Sequence, residues 1–247
     1  MYQNYVFDLY GTLVDIRTDE SGDKFWGAVA DIYGDYGATY TAKEIESEYK
    51  RLAKVEKRKE HWRHIFTRHI EINLEHVFEN LYQLKGVTPT NDMIKDTAVR
   101  FRKASTIFIE LYDGVIDLLQ SLKKAGKNVY LLSNAQRCFT YPEMVELQIV
   151  EYFDDIFISS DQACCKPGTR FFKALIKAHN LNRKETIMIG NDCISDMLVA
   201  KGVGVDSLYI HQEISTPLEG HTLHCNYKIM DGDVTKIKEY VLKPQVQ

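Results

Sequence analysis

The stretch YVFDLYGTLVD, Tyr5–Asp15, decides how this chain is read. A short aromatic and β-branched run stops at one acid, Asp8, and Gly11 and Thr12 follow at once. That pattern predicts a buried strand whose carboxyl end presents a carboxylate to a turn. Tyr10 stands two positions after Asp8, where a second acid would be sought if the site moves protons.

The same kind of run recurs down the chain. NVYLLSN (Asn128–Asn134), DIFISS (Asp155–Ser160), TIMIGND (Thr186–Asp192) and SLYI (Ser207–Ile210) read as strands, and YKIM (Tyr227–Met230) as a short edge strand. Amphipathic stretches separate them. In GVIDLLQSLKKAG, Val115, Leu118, Leu119 and Leu122 share one face before the stop at Gly126. TRFFKALIKAHN and SDMLVAKGVG read the same way. Strand–helix–strand units at this spacing predict an α/β fold with a mostly parallel, Rossmann-like three-layer core.

Residues 17–105 break the pattern. They hold no convincing strand and are rich in helix formers, as in TAKEIESEYKRLAKVEKRKEHWRHIF and INLEHVFENLYQLKG. The expected organisation is a core of residues 1–16 and 106–247 with a helical cap domain of residues 17–105 inserted after the first strand. The tail KPQVQ reads as frayed.

Bulk properties exclude several classes. An apolar share of 45% is enough for a core, and 31 basic against 35 acidic residues give a net charge of -4. That balance gives no reason to expect nucleic acid or an anionic membrane as partner. MYQNYVFDLY has no basic region before an apolar block, so no signal peptide is expected. No apolar run approaches the roughly 20 residues of a membrane span. Five cysteines, with Cys164 beside Cys165, suggest no disulfide framework, so a cytoplasmic setting is expected. A small-molecule substrate is the expected partner, and the residues carry no signal of oligomeric state.

In open α/β sheets ligands bind at the carboxyl ends of the strands. Asp8 follows the first strand, Ser133 and Asn134 end the second, and Lys166 follows the third in CCKPG. The fourth runs into Asn191 and Asp192, with Asp196 four residues on. Each has a bland reading. A lone aspartate before a turn is usually a turn residue, a Ser-Asn pair a helix cap, and two aspartates at a helix start an answer to the helix dipole. Their conjunction at one sheet edge carries the weight.

With DLYGTL, the LLSN serine, CKPG and GNDCISD in order, the chain resembles the haloacid dehalogenase-like (HAD) hydrolase superfamily. The resemblance covers the whole core, and the helical insert fits a cap position of that superfamily. It implies that Asp8 is a nucleophile forming a covalent aspartyl intermediate, that Ser133 hydrogen-bonds the transferring group, and that Lys166 offsets charge. Gly11, Thr12 and Asn134 are the expected substrate-binding positions. It further implies Mg2+ held by Asp8, Tyr10, Asp192 and Asp196. Magnesium suits all-oxygen ligation by a few carboxylates, a carbonyl and waters.

Most phosphatases of this superfamily carry an aspartate where this chain has Tyr10. A free phenol, with pKa ~10, is a poor base at neutral pH. The superfamily's L-2-haloacid dehalogenases carry Tyr there, because halide leaves without a proton. Those enzymes work without metal and hold the substrate carboxylate with a cap arginine, for which Arg51 is the candidate. The acids of GNDCISD favour a magnesium-dependent phosphatase. The alternatives are a metal-independent 2-haloacid dehalogenase and a weakly active binding protein.

Other features read more simply. His61, His64, His69 and His76 lack a completing cysteine or acid, so no metal site is expected there. Phe25, Trp26, Tyr33, Tyr36, Trp62 and Phe66 read as cap core. Cys193 reads as a small packed residue, and KEIESEYKRLAKVEKRKE as a solvated face with i,i+4 pairs.

Overall fold

The computed structural model describes residues 2–63 and 68–241. A six-stranded, all-parallel sheet forms the centre. Its strands are β1 (Asn4–Phe7), β4 (Asn128–Ser133), β5 (Asp155–Ile158), β6 (Thr186–Gly190), β7 (Asp206–Ile210) and β8 (Tyr227–Ile229), in the order β5-β4-β1-β6-β7-β8. β1 lies between β4 and β6, with Phe7 paired to Leu131 on one side and Ile189 on the other. All four of its residues are buried, as a strand covered on both faces requires.

The period of two sorts the side chains. Tyr5, Phe7, Val129, Leu131, Ile187 and Ile189 face one way, onto Leu118, Leu119 and Leu122 of α5 (Val115–Lys124). Val6, Tyr130, Leu132 and Met188 face the other, onto α8 (Thr169–His179) and α9 (Ser195–Val203). Each fully buried leucine of α5 contributes about 1.5–3 kcal/mol. Helices α6 (Arg137–Glu146), α7 (Ser159–Gln162) and α10 (Ile237–Val241) complete the core elements. The chain leaves β1 for β4 and β5 on one side, and later builds β6, β7 and β8 on the other. The crevice at this switch point lies beyond the carboxyl ends of β1, β4 and β6.

Between β1 and α5 the described residues add a ribbon and four helices. β2 (Val14–Thr18) pairs antiparallel with β3 (Thr106–Leu111), Val14 opposite Leu111 and Thr18 opposite Thr106. Helices α1 (Gly22–Gly34), α2 (Ala42–Arg63), α3 (Leu74–Leu84) and α4 (Asn91–Ser105) lie between these strands in the chain. The sequence pattern hides this ribbon. Ile107 and Phe108 of β3 are exposed, so its apolar residues do not alternate with polar ones.

The four helices share an aromatic cluster of Phe25, Trp26, Tyr33, Phe78, Tyr82 and Phe101, joined by Phe139 from α6. Phe101 stacks on Phe139 with ring centroids 5.8 Å apart. Tyr36 packs at the edge of the cluster and its hydroxyl donates to Asp96 at 3.0 Å. Trp62, expected in this core, is instead 76% exposed near the end of α2. Phe66 and His64 lie outside the described residues.

Candidate active site

Asp8 stays in the sheet: its amide donates to the Ile189 carbonyl at 2.9 Å, one residue beyond β1. The chain then turns sharply, with the amides of Leu13 and Val14 both reaching back to the Leu9 carbonyl. Gly11 sits at φ +76°, and a Cβ there would overlap the Asn191 amide. Only glycine allows the loop to lie this close to the tip of β6. Thr12 is fully buried and its hydroxyl donates to Asn191 Oδ1 at 3.2 Å. Asn191 in turn donates to Ser215 Oγ at 3.3 Å. Gly11 and Thr12, expected at the substrate, thus dock the loop onto β6.

Lys166 reaches the centre of the crevice. Its Nζ lies 2.8 Å from Asp8 Oδ1 and 2.7 Å from Asp196 Oδ1. Asn134 holds the lysine backbone from both sides, accepting from the Lys166 amide at 2.8 Å and donating to its carbonyl at 2.9 Å. The side chains of Lys166 and Asp196 are 1% and 0% exposed, that of Asp8 12%. Burial disfavours the Lys166 ammonium, but Asp196 and Asp8 together outweigh it and raise its pKa. Burial pushes the Asp196 carboxyl up, Lys166 pulls it down, and the Asp8 charge pushes it up again. The 2.7 Å contact supports an ionised pair, since a proton on Asp196 would leave the buried ammonium with Asp8 alone. Gly190 makes room for this carboxylate, which a Cβ there would strike. Ser133 is buried at the tip of β4, two residues beyond the Phe7–Leu131 pair.

Asp192 points elsewhere. Its Oδ1 accepts from the amides of Ile194 at 2.8 Å and Ser195 at 2.5 Å, at the start of α9, and its Oδ2 accepts from the Thr216 hydroxyl. Burial alone would raise its pKa; the Thr216 hydroxyl and these amides outweigh burial and lower it. The second oxygen of Asp196 accepts from the Asp192 amide at 3.0 Å. Both carboxylates expected to join Asp8 around magnesium are therefore committed, one to a helix start and one to Lys166. Among the described residues no group of three or more His, Cys, Asp or Glu side chains is placed to hold a metal. In this arrangement the oxygens of Asp192 and Asp196 are engaged by Thr216, backbone amides and Lys166.

The Tyr10 side chain is held by α6. Its hydroxyl donates to Glu143 Oε2 and lies 3.0 Å from Thr140 Oγ1, both on α6. Glu143 Oε1 accepts from Arg102 Nε of α4 at 2.6 Å, and the guanidinium lies 5.7 Å from the Tyr10 ring centroid. Burial, then the Glu143 charge, push the phenol well above its ordinary range. The largely buried arginine of the helical segment is thus Arg102. Arg51, the sequence candidate, pairs with Glu48 at 2.7 Å on the outer surface of α2. Sequence reasoning missed Arg102, Thr140 and Glu143. A Thr and a Glu three residues apart around Pro142 was the faint signal for a polar face on α6.

His76 pairs with Glu56 at 2.8 Å, and His61 and His69 line a surface groove. Cys193 packs with Met197 and Tyr209, and all five cysteines are free. No helix among the described residues is long and apolar enough to cross a membrane.

The sheet order and the charged trio at the switch point define a Rossmann-like α/β hydrolase core. The family model for haloacid dehalogenase-like hydrolases matches residues 2–204, and the chain belongs to that family. It is 21% identical over 137 residues to the glyceraldehyde 3-phosphate phosphatase of Pyrococcus abyssi, covering 56% of this chain and 58% of that one. The chain spans about half the length of the curated relatives it matches. Its fold is similar to that of a HAD phosphatase from Thermococcus onnurineus, with TM-score 0.60, 15% identity and coverage of 96% and 97% of the two chains. It is similar also to that of a dehalogenase, with TM-score 0.58, 14% identity and 98% coverage of both.

Proposed function

We infer that this chain hydrolyses a small phosphorylated metabolite through a covalent intermediate on Asp8. The observation that carries the reading is the Asp8–Lys166–Asp196 trio, in which Asp8 is the member open to solvent. The phosphatase names of curated relatives support phosphate as the transferred group. An Asp8 oxygen attacks phosphorus, the bond to the leaving oxygen breaks, and an acyl phosphate forms. Water then cleaves it, releasing phosphate and restoring the carboxylate. Lys166 orients Asp8 through their 2.8 Å contact, and its charge offsets that of the transferring group. Ser133, at the adjacent strand tip, is assigned the hydrogen bond to that group, and Asn134 the holding of Lys166.

Proton handling separates this chain from most family phosphatases. The Tyr10 phenol is tied to Glu143 and is no ready acid. The leaving group then departs unprotonated by the protein, so aryl and acyl phosphates are preferred over alkyl phosphates. Magnesium, expected from the resemblance, would add Lewis-acid stabilisation of the phosphoryl oxygens. Since Asp192 and Asp196 are committed, no step here runs through it.

A second reading, metal-indifferent cleavage of a 2-haloacid, is favoured by the same Tyr10 and by the hydrogen-bonded Asp192. The test compares an aryl phosphate with 2-chloropropionate, each with magnesium and with a chelator. Phosphate release is the expected result. Chloride release without phosphate release gives the second reading, and turnover of neither overturns both.

A further inference from the structure

Helix α2 arranges its charges in two ways. Lys50, Arg51, Lys59 and Arg63 pair along the helix with Glu46, Glu48, Glu56 and Glu60. Lys54, Lys57, Arg58, His61 and Trp62 follow the spacing i, i+3, i+4, i+7, i+8, which is one helical face. That face contains no acid. With Arg68, His69 and Cys165 it lines a groove of about 560 Å³, within the range of small-molecule sites.

The groove carries an excess of positive charge, offset in part where Glu71 acts on Lys57 through space. Among the described residues Lys54, Lys57, Arg58 and Arg68 form no ion pair, although α2 pairs Lys50, Arg51, Lys59 and Arg63. The nearby acid, Glu71, is turned inward, accepting from Ser159 Oγ at 3.0 Å and from Gln136 Nε2 at 3.3 Å. Four exposed cations around one groove repel one another, and an anion between them relieves that repulsion. Trp62 stands among them with 76% of its surface exposed. Its indole offers a flat π-face to water, which a planar ring would cover. The groove also borders the catalytic loop: the Cys165 amide donates to the His69 carbonyl at 3.2 Å, and Lys166 is the next residue.

We propose that this groove binds an organic polyanion bearing a planar ring, of the nucleoside di- or triphosphate class, beside the loop that carries Lys166. The cations of α2 and Arg68 take the phosphates and Trp62 stacks on the base. The site is distinct from the Asp8 trio and stands whether or not Asp8 hydrolyses what it binds.

ADP titrated into the full chain in a chelator, by calorimetry and by tryptophan fluorescence, tests this. Trp26 is buried, so ADP-dependent quenching reports on Trp62. Wild type and Asp8→Asn should both bind ADP saturably, and raising the salt from about 0.05 to 0.3 M should weaken binding about tenfold. Lys54→Gln/Lys57→Gln/Arg58→Gln should weaken ADP at least about tenfold; glutamine keeps helix propensity, and circular dichroism checks the fold. Lys57→Glu alone should shift affinity in the same direction. Trp62→Ala should weaken ADP about tenfold while leaving tripolyphosphate binding unchanged. Absence of saturable binding at low salt, or unchanged affinity in the triple variant and in Lys57→Glu, overturns the site. Equal effects of Trp62→Ala on ADP and tripolyphosphate overturn the stacking role. Loss of turnover in Asp8→Asn with ADP binding intact separates this result from the fate of the catalytic reading.

Discussion

The Tyr10 hydroxyl donates to Glu143 on α6, so the residue that replaces the usual second acid is tied into a buried ion pair. A phenol already donating to a carboxylate, and raised well above its ordinary pKa, has no proton to lend a leaving group. Tyr10→Phe should therefore change aryl phosphate turnover by less than about tenfold, against the ~10²–10⁴ of a lost general acid. Its cost should fall on stability, about 1–3 kcal/mol for one buried hydrogen bond removed from Glu143. Steady-state kinetics beside chemical denaturation distinguish the two outcomes, and a hundredfold fall in kcat with unchanged stability would return Tyr10 to the chemistry.

Asp8→Asn should abolish turnover while the protein remains folded. Asparagine keeps the size of the side chain and still accepts from Lys166, whose ammonium retains its buried pair with Asp196. Thermal unfolding and a burst assay on the same preparation check this; any residual covalent phosphoenzyme would exclude Asp8 as the nucleophile.

Asp192 stands two residues before Ile194, the N-cap of α9, and its carboxylate accepts from the Ile194 and Ser195 amides, so its substitution tests the magnesium set. Asparagine keeps an acceptor for those amides, whereas alanine leaves them without this partner, at a cost of about 1–3 kcal/mol. Asp192→Asn should thus keep the fold and shift any magnesium activation constant by less than about tenfold. A larger shift would put this carboxylate on the ion.

The pH dependence of the same residue has a fixed sign. Its folded pKa is lowered, so its contribution to stability is present above the unfolded carboxylate value of about 4 and is lost as pH falls through the folded one. The stability difference between wild type and Asp192→Ala should be widest near neutrality and shrink below about pH 4. Urea midpoints at a series of pH values measure it. A difference that grows on acidification would contradict the hydrogen-bonding pattern.

Arg102 and Glu143 join α4 to α6 through a pair whose side chains are 15% and 9% exposed. Glu143→Ala strands the guanidinium and should destabilise by about 3–5 kcal/mol. Replacing both partners with methionine and leucine should cost less than the single change, because no buried charge is then left alone. A double-mutant cycle by denaturant unfolding supplies the coupling term.

The sheet was legible because β1, β4, β6 and β7 are continuous apolar runs that end at chemistry-bearing residues, and a buried parallel strand has little alternative reading. The approach of Lys166 to Asp8 followed from the same rule of strand ends. Other features depend on distant partners. Tyr10 is oriented by residues on α6 and α4, which no local pattern links to it. Asn191 and Asp192 are adjacent polar residues at one strand tip; their directions are set by Thr12, Thr216 and the first amides of α9. Trp62 is exposed because α2 turns its apolar side, with Ile45 and Leu52, away from that face.

Thr18 and Thr106 are register partners at the open end of the β2–β3 ribbon, so a segment of four helices departs and returns through neighbouring points. A short hairpin turn grafted across those two threonines would excise the helices without breaking a single strand of the main sheet. Phe139 would then lose its aromatic neighbours and become the position to redesign as polar. The same junction is a natural grafting port, through which a different helical segment could be set above an unchanged Asp8–Lys166 pair.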